Sequence, residues 1–261
     1  MGGGLAALLR HDRAVVLGSL SIVIVLAWAY LLTGAGVGGE TMDMGGGQIM
    51  AMAPEWTLAY GLVVFLMWAV MMVAMMLPSA APVTLLVAAI ARKRREAGGT
   101  PGMSTAPFVL GYLAVWLGFA ATATVLQWRL DAAGLLSETM ALASTAVAGG
   151  VLVVAGIYQW TPLKEACLRH CRSPLQFLMQ HWRDGALGAL AGGARHGVFC
   201  FGCCWMLMVL LFVGGIMNLA WIAGIALLVL VEKTLPWGGR MARATGAVLV
   251  VWGAVTLAMA A

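Results

Sequence analysis

His196, Cys200, Cys203 and Cys204 fall at i, i+4, i+7 and i+8 in "RHGVFCFGCCW", a spacing that puts all four on one face of a helix. A second set, Cys167, His170 and Cys171 in "CLRHCRSP", falls at i, i+3 and i+4. Thr161-Pro162 has the form of an N-cap followed by proline at the first helical position, and Pro174 ends the segment, so one short helix should carry these three. Cysteine and histidine at such spacing suit a soft metal ion. Cys200-x-x-Cys203 also has the spacing of a thiol redox pair, and buried cysteine can pack as a small apolar residue. The residue types leave all three readings open.

A ladder of thioethers is the second candidate. "FLMWAVMMVAMMLP" (65–78) places Met67, Met71 and Met75 at i, i+4 and i+8, with Met72 and Met76 repeating the step one position round. At 3.6 residues per turn these five form one broad stripe. Thioethers are soft, uncharged ligands that select Cu(I) over hard cations, and they enter hydrocarbon without the cost of a carboxylate. Methionine also fills irregular gaps between helices. A further four, Met42, Met44, Met50 and Met52, form two Met-x-Met pairs in the glycine-rich "ETMDMGGGQIMAMAPEW". They read as an outer capture site, with Glu40 and Asp43 adding attraction for a cation; the alternative is a loop that dips its methionines into headgroups.

The elements that must position these residues follow from composition. The 261 residues are 62% hydrophobic and 10% charged, against about a quarter charged in a soluble domain. Long apolar blocks of this kind belong to an integral membrane protein, so the net charge of +5 marks membrane topology rather than nucleic-acid binding. Seven spans are predicted, at roughly 14–32, 56–78, 106–127, 140–160, 196–214, 216–233 and 244–260, with Pro78 helping to close the second. The fifth and sixth are fused in hydropathy, and "VGGIMNLAW" (213–221) is where the chain must turn. With the N-terminus inside, fourteen of the fifteen Lys and Arg fall in inner segments; Arg129 alone falls outside. The expected fold is all-α: a polytopic transmembrane helix bundle of about seven spans, forming one transmembrane domain over 1–261.

No Asp, Glu, Lys or Arg sits clearly at mid-span, since Glu232 and Lys233 come at a helix end. That argues against proton relays and hard-cation sites. The glycines of "GALGALAGGARHG" (185–197) allow close helix approach.

"MWAVMMVAMMLP" (67–78), "YQWTPLKEACLRHCRSP" (158–174) and "FCFGCCWMLMVLLFVGGIMNLAW" (199–221), followed by "VEK" (231–233), resemble the bacterial domain-of-unknown-function family of predicted metal-binding integral membrane proteins. The resemblance covers roughly residues 56–235 and implies a multi-helix inner-membrane protein that binds metal. Locally, Met67-x-x-x-Met71, Met71-x-x-x-Met75 and Met72-x-x-x-Met76 are also similar to the Met-x-x-x-Met step of the eukaryotic high-affinity copper transporters, whose three-span fold differs.

The function these residues suggest is binding of a soft ion, Cu(I) first, and its movement inward across a bacterial inner membrane. Met42, Met44, Met50 and Met52 would capture it, and Met67, Met71, Met72, Met75 and Met76 would pass it on. Cys167, His170, Cys171, His196, Cys200, Cys203 and Cys204 would receive it. This is a transporter or metal-binding protein rather than an enzyme, and its expected partners are the lipid bilayer, the metal ion and a copper chaperone or cuproenzyme, with self-association left open. One rival is a metallochaperone or assembly factor for a membrane cuproenzyme. The other is a thiol oxidoreductase using Cys200 and Cys203.

Overall fold

Backbone polar groups inside a bilayer find no water, so continuous apolar segments must satisfy them internally as helices. The computed structural model describes residues 2–37, 41–43, 49–51, 55–98, 105–137 and 139–260, and these are overwhelmingly helical. The long helices are α1 (Gly2–Leu32), α2 (Leu58–Glu96), α3 (Thr105–Ala132), α7 (Gly185–Val209) and α10 (Gly238–Ala260). Between them come α4 (Thr145–Tyr158), α5 (Pro162–Arg172), α6 (Pro174–His181), α8 (Leu211–Gly214) and α9 (Leu219–Thr234). A short antiparallel hairpin, β1 (Thr41–Asp43) with β2 (Ile49–Ala51), pairs Met42 with Met50 in register.

Among the described residues, five helical segments are long and apolar enough to cross a membrane alone. α4 and α5 form a pair bent by 63° that would supply a sixth. α9, with 16 residues, is about 24 Å long and shorter than a full hydrocarbon core of ~30 Å. This pattern accommodates a bundle of about seven passes, with some passes shorter than predicted. The boundaries also move. α2 runs through Pro78 and Pro82 to Glu96 instead of closing at Pro78. Proline removes a helix hydrogen bond, here freeing the Ala74 and Pro78 carbonyls from the usual i+4 bond; in the same stretch the Tyr112 and Ser79 hydroxyls donate to the Met76 carbonyl at 3.1 and 2.9 Å.

The local signals for the shorter helices hold. The Thr161 hydroxyl accepts from the Lys164 amide at the start of α5. The Asn218 side chain accepts from the Trp221 amide at the start of α9. Gly215, at φ +94°, makes the turn between α8 and α9, a conformation that glycine adopts without a Cβ penalty.

Side-chain contacts fix the direction of neighbouring helices. α3 and α7 run parallel: Gly193 meets Phe108, Gly197 meets Tyr112, and Phe201 meets Trp116 and Phe119. A Cβ at Gly193 would collide with the Phe108 carbonyl, so this glycine sets how closely the two helices approach. α2 runs against α3, with Met76 on Tyr112 and Trp68 on Phe119. α4 runs against α10, with Gly156 on Gly246 and Gly149 on Gly253. The C-terminal ends of α2, α4 and α9 therefore gather with the N-terminal ends of α3, α7 and α10. Arg92, Lys93 and Arg94 on α2, Arg169 and Arg172 on α5, and Arg240 and Arg243 on α10 share this basic end, whereas Arg129 lies at the other.

Candidate sulfur centre

Four helices meet where α2 passes its prolines. α5 brings Cys167 and Cys171, α7 brings Cys200, Cys203 and Cys204, α2 brings Met76 and α9 brings Lys233 in its last turn. All five cysteines are free thiols, and all except the half-buried Cys171 are buried. Both predicted helical faces are therefore present, and the fold turns them toward each other.

The sulfurs meet in pairs. Cys171 Sγ is 4.0 Å from Cys203 Sγ, and Cys204 Sγ is 3.9 Å from Met76 Sδ. Metal–thiolate bonds of about 2.3 Å would hold two sulfurs ~4.6 Å apart across a straight line and ~4.0 Å apart at a trigonal angle. The Cys171–Cys203 separation is about 0.6 Å short of the straight-line span that two thiolates alone would take on one ion. It is about twice the length of a disulfide. The Cys203 and Cys204 thiols donate to the Cys200 carbonyl at 3.1 and 3.0 Å, which aims both sulfurs along the helix face. Cys167 packs its sulfur on Gly202, where a Cβ would stand only 2.7 Å from it.

Cys200 turns to different neighbours. The Tyr112 hydroxyl lies 3.0 Å from its sulfur and the Lys233 ammonium donates to it at 2.9 Å. The same ammonium stands 3.6 Å from Cys204 Sγ and 3.4 Å from the Ser79 hydroxyl. Lys233 is thus the cation of the sulfur centre, a role that the sequence reading did not give it. The signal was there in "VEK" (231–233), but a lysine at a helix end reads first as a solvated charge. The preceding Glu232 points the other way, to Lys164 on α5, in an ion pair of 2.7 Å whose side chains are 2% and 1% exposed. Lys164 also donates to the Gln159 side-chain oxygen. Three residues expected at the water boundary are buried in the bundle instead. Tyr112 gave no sequence signal at all.

The histidines stand beside the sulfurs without bonding to them. His196 is buried among Phe108, Tyr112 and Phe177, and its Nδ1 has no partner among the described residues. His170 stacks on Phe199 at 4.2 Å and donates from Nδ1 to the Ala166 carbonyl at 2.8 Å. Among the described residues, no group of three or more His, Cys, Asp or Glu is placed to hold one ion. The donors on offer are sulfur pairs.

Met67, Met71, Met72, Met75 and Met76 are all buried, at 0–1% exposure. They cover about 13.5 Å of helix rise and end at Cys204. This part of α2 is enclosed on nearly every side, so the five share the core with Trp68, which stacks on Phe212 at 5.3 Å and donates to Gln127 at 2.7 Å. Of the four methionines in 42–52, Met42 and Met50 are register partners between β1 and β2; Met44 and Met52 lie outside the described residues.

No curated protein and no solved structure matches the chain significantly. One family does match, over residues 65–256, and its description is "copper chaperone". That stretch holds the methionine stripe, both cysteine clusters and Lys233, as expected of a copper-related, metal-binding membrane protein. The chain belongs to the PpoB2 copper chaperone family.

Proposed function

We propose that this protein is a membrane-embedded Cu(I) chaperone that takes the ion along the α2 methionines and holds it between Cys171 and Cys203. The contact of Met76 with Cys204 carries the reading, because there the thioether stripe touches the thiol cluster. Thioethers bind Cu(I) weakly enough to exchange it, and thiolates hold it more strongly. A Cu(I) ion between two thiolates carries one net negative charge. Lys233, 2.9 Å from Cys200 and 3.6 Å from Cys204, supplies one positive charge on the α7 face that also carries Cys203. In a low-dielectric interior such compensation matters far more than at a surface.

The basic end of the bundle faces the cytoplasm of a bacterial inner membrane in this reading, by the preference of Lys and Arg for that side. The ion moves inward from Met42, Met44, Met50 and Met52 and is handed to a partner, a copper chaperone or a membrane cuproenzyme. Two measurements on protein purified without oxygen test the reading. X-ray absorption of the Cu(I)-loaded protein should show an all-sulfur shell, and mixing with a copper-free thiol acceptor should transfer the ion. A nitrogen-rich shell would overturn the sulfur-pair site. Sustained copper accumulation in proteoliposomes, without an acceptor, would make the protein a transporter rather than a chaperone.

A further inference from the structure

At the basic end, α5 and the first turns of α10 enclose a polar cavity of about 130 Å³, with Gln159, Lys164, Arg169, Arg172 and Arg243 in its wall. A more open hollow of about 390 Å³ adjoins it and adds Arg240; Arg172, Gly239 and Arg243 belong to both. Five cations therefore surround one continuous depression. Glu232 neutralises Lys164. Glu165 faces Arg243 at 3.9 Å in an exposed pair that contributes little. Three positive charges remain in excess.

A second observation concerns the Gln159 amide. Its oxygen takes the Lys164 ammonium, while its Nε2 is buried with no acceptor among the described residues. Gln159 is only 4% exposed, and a buried donor without an acceptor costs free energy. Gln159 lines the cavity, so a small turn of its amide would bring Nε2 to an anionic oxygen there. Arg172 is already oriented there, donating to the Pro236 carbonyl.

The surroundings are those of a bilayer boundary. Trp160, whose indole donates to the Arg243 carbonyl at 3.0 Å, and Trp237 flank the two hollows, each about half exposed. Tryptophan collects where hydrocarbon meets headgroups. α10 continues from the site with outward-facing Val248 and Val251, on which acyl chains can lie. Basic pockets between helices on the cytoplasmic side are suited to anionic lipid headgroups.

We propose that this cavity binds the phosphate of an anionic phospholipid headgroup, with Gln159, Arg172, Arg240 and Arg243 as its ligands. The site is distinct from the sulfur centre and does not depend on the copper reading.

The test uses the full chain in nanodiscs of phosphatidylcholine, with or without one-fifth phosphatidylglycerol, followed by native mass spectrometry of retained lipid. Phosphatidylglycerol should be retained at least five-fold over its share, and the preference should fall as salt rises. Arg172→Gln together with Arg243→Gln should reduce it to the bulk ratio. Arg240→Gln, at the exposed mouth, should reduce it about two-fold without disturbing the fold. Unchanged preference in Arg240→Gln or in the double variant would overturn the site. Inorganic phosphate at matched ionic strength should leave the melting temperature where chloride leaves it. Stabilisation by phosphate without lipid preference would overturn the lipid assignment in favour of a free anion.

Discussion

The thioether sulfur of Met76 lies 3.9 Å from the thiol sulfur of Cys204, so the α2 methionine stripe ends in contact with the α7 cysteine face. The two residues are 128 positions apart in the chain. Met76 is buried there beside Tyr112, whose hydroxyl donates to its carbonyl.

Replacing Met67, Met71 and Met75 together by Leu nearly conserves volume and hydrophobicity, a change that costs under ~1.5 kcal/mol per site. Expression and melting temperature should hold while Cu(I) loading slows. Ag(I) should compete with Cu(I) for the wild-type protein and Zn(II) should not. Loading at the wild-type rate in the triple variant would reduce the stripe to packing.

Cys171→Ser and Cys203→Ser should each weaken Cu(I) binding by more than the ~10–100-fold typical of changes outside the ligand shell. The double variant should be little worse than either single one, because one thiolate of a pair holds little without the other. Competition with a chromophoric Cu(I) chelator measures this. Full binding in the double variant would rule out this pair as the site.

Lys233→Met removes the ammonium beside Cys200 and Cys204 but keeps an unbranched chain. Loss of that charge should weaken Cu(I) binding by less than the loss of Cys171 or Cys203 does. The shell seen by X-ray absorption should stay all-sulfur, which separates a charge-compensating lysine from a ligand.

The Lys164–Glu232 pair makes a stability prediction independent of copper. Glu232→Gln leaves a buried ammonium facing a neutral amide and should destabilise the protein by about 3–5 kcal/mol. Lys164→Met with Glu232→Leu should recover most of that loss, read as melting temperature in detergent. A double variant as unstable as the single one would mean that the pair contributes more than mutual neutralisation.

For the orientation, a cysteine introduced at Gly98, just beyond α2, is the probe. The native cysteines are buried or half-buried, so an impermeant thiol reagent reports mainly on the new one. It should react only in inside-out vesicles; labelling from the outside would reverse both the orientation and the inward direction.

Much of this architecture was legible in the sequence because it rests on local signals. Apolar block length gave the helices. Thr161-Pro162 set the start of α5, and the glycines and asparagine of 213–221 set the turn before α9. The i, i+4 spacing put Met67, Met71 and Met75 on one stripe and Cys200 with Cys204 on another, since helical period is a property of the chain itself. The sequence by itself could not say where α2 ends, because proline breaks or merely bends a helix according to what packs around the loosened turn; here α3, α7 and α9 enclose that turn through Tyr112, Cys204 and Lys233, and α2 continues to Glu96. Nor could it pair Cys171 with Cys203 rather than with a histidine, because a helical face says which residues look outward and not what they meet. Lys164, Glu232 and Lys233 are the sharpest case. A charge near a helix end is solvated unless the fold supplies partners, and only the tertiary structure brings Lys164 to Glu232 and Lys233 to Cys200, compensating charges that a bilayer would otherwise exclude.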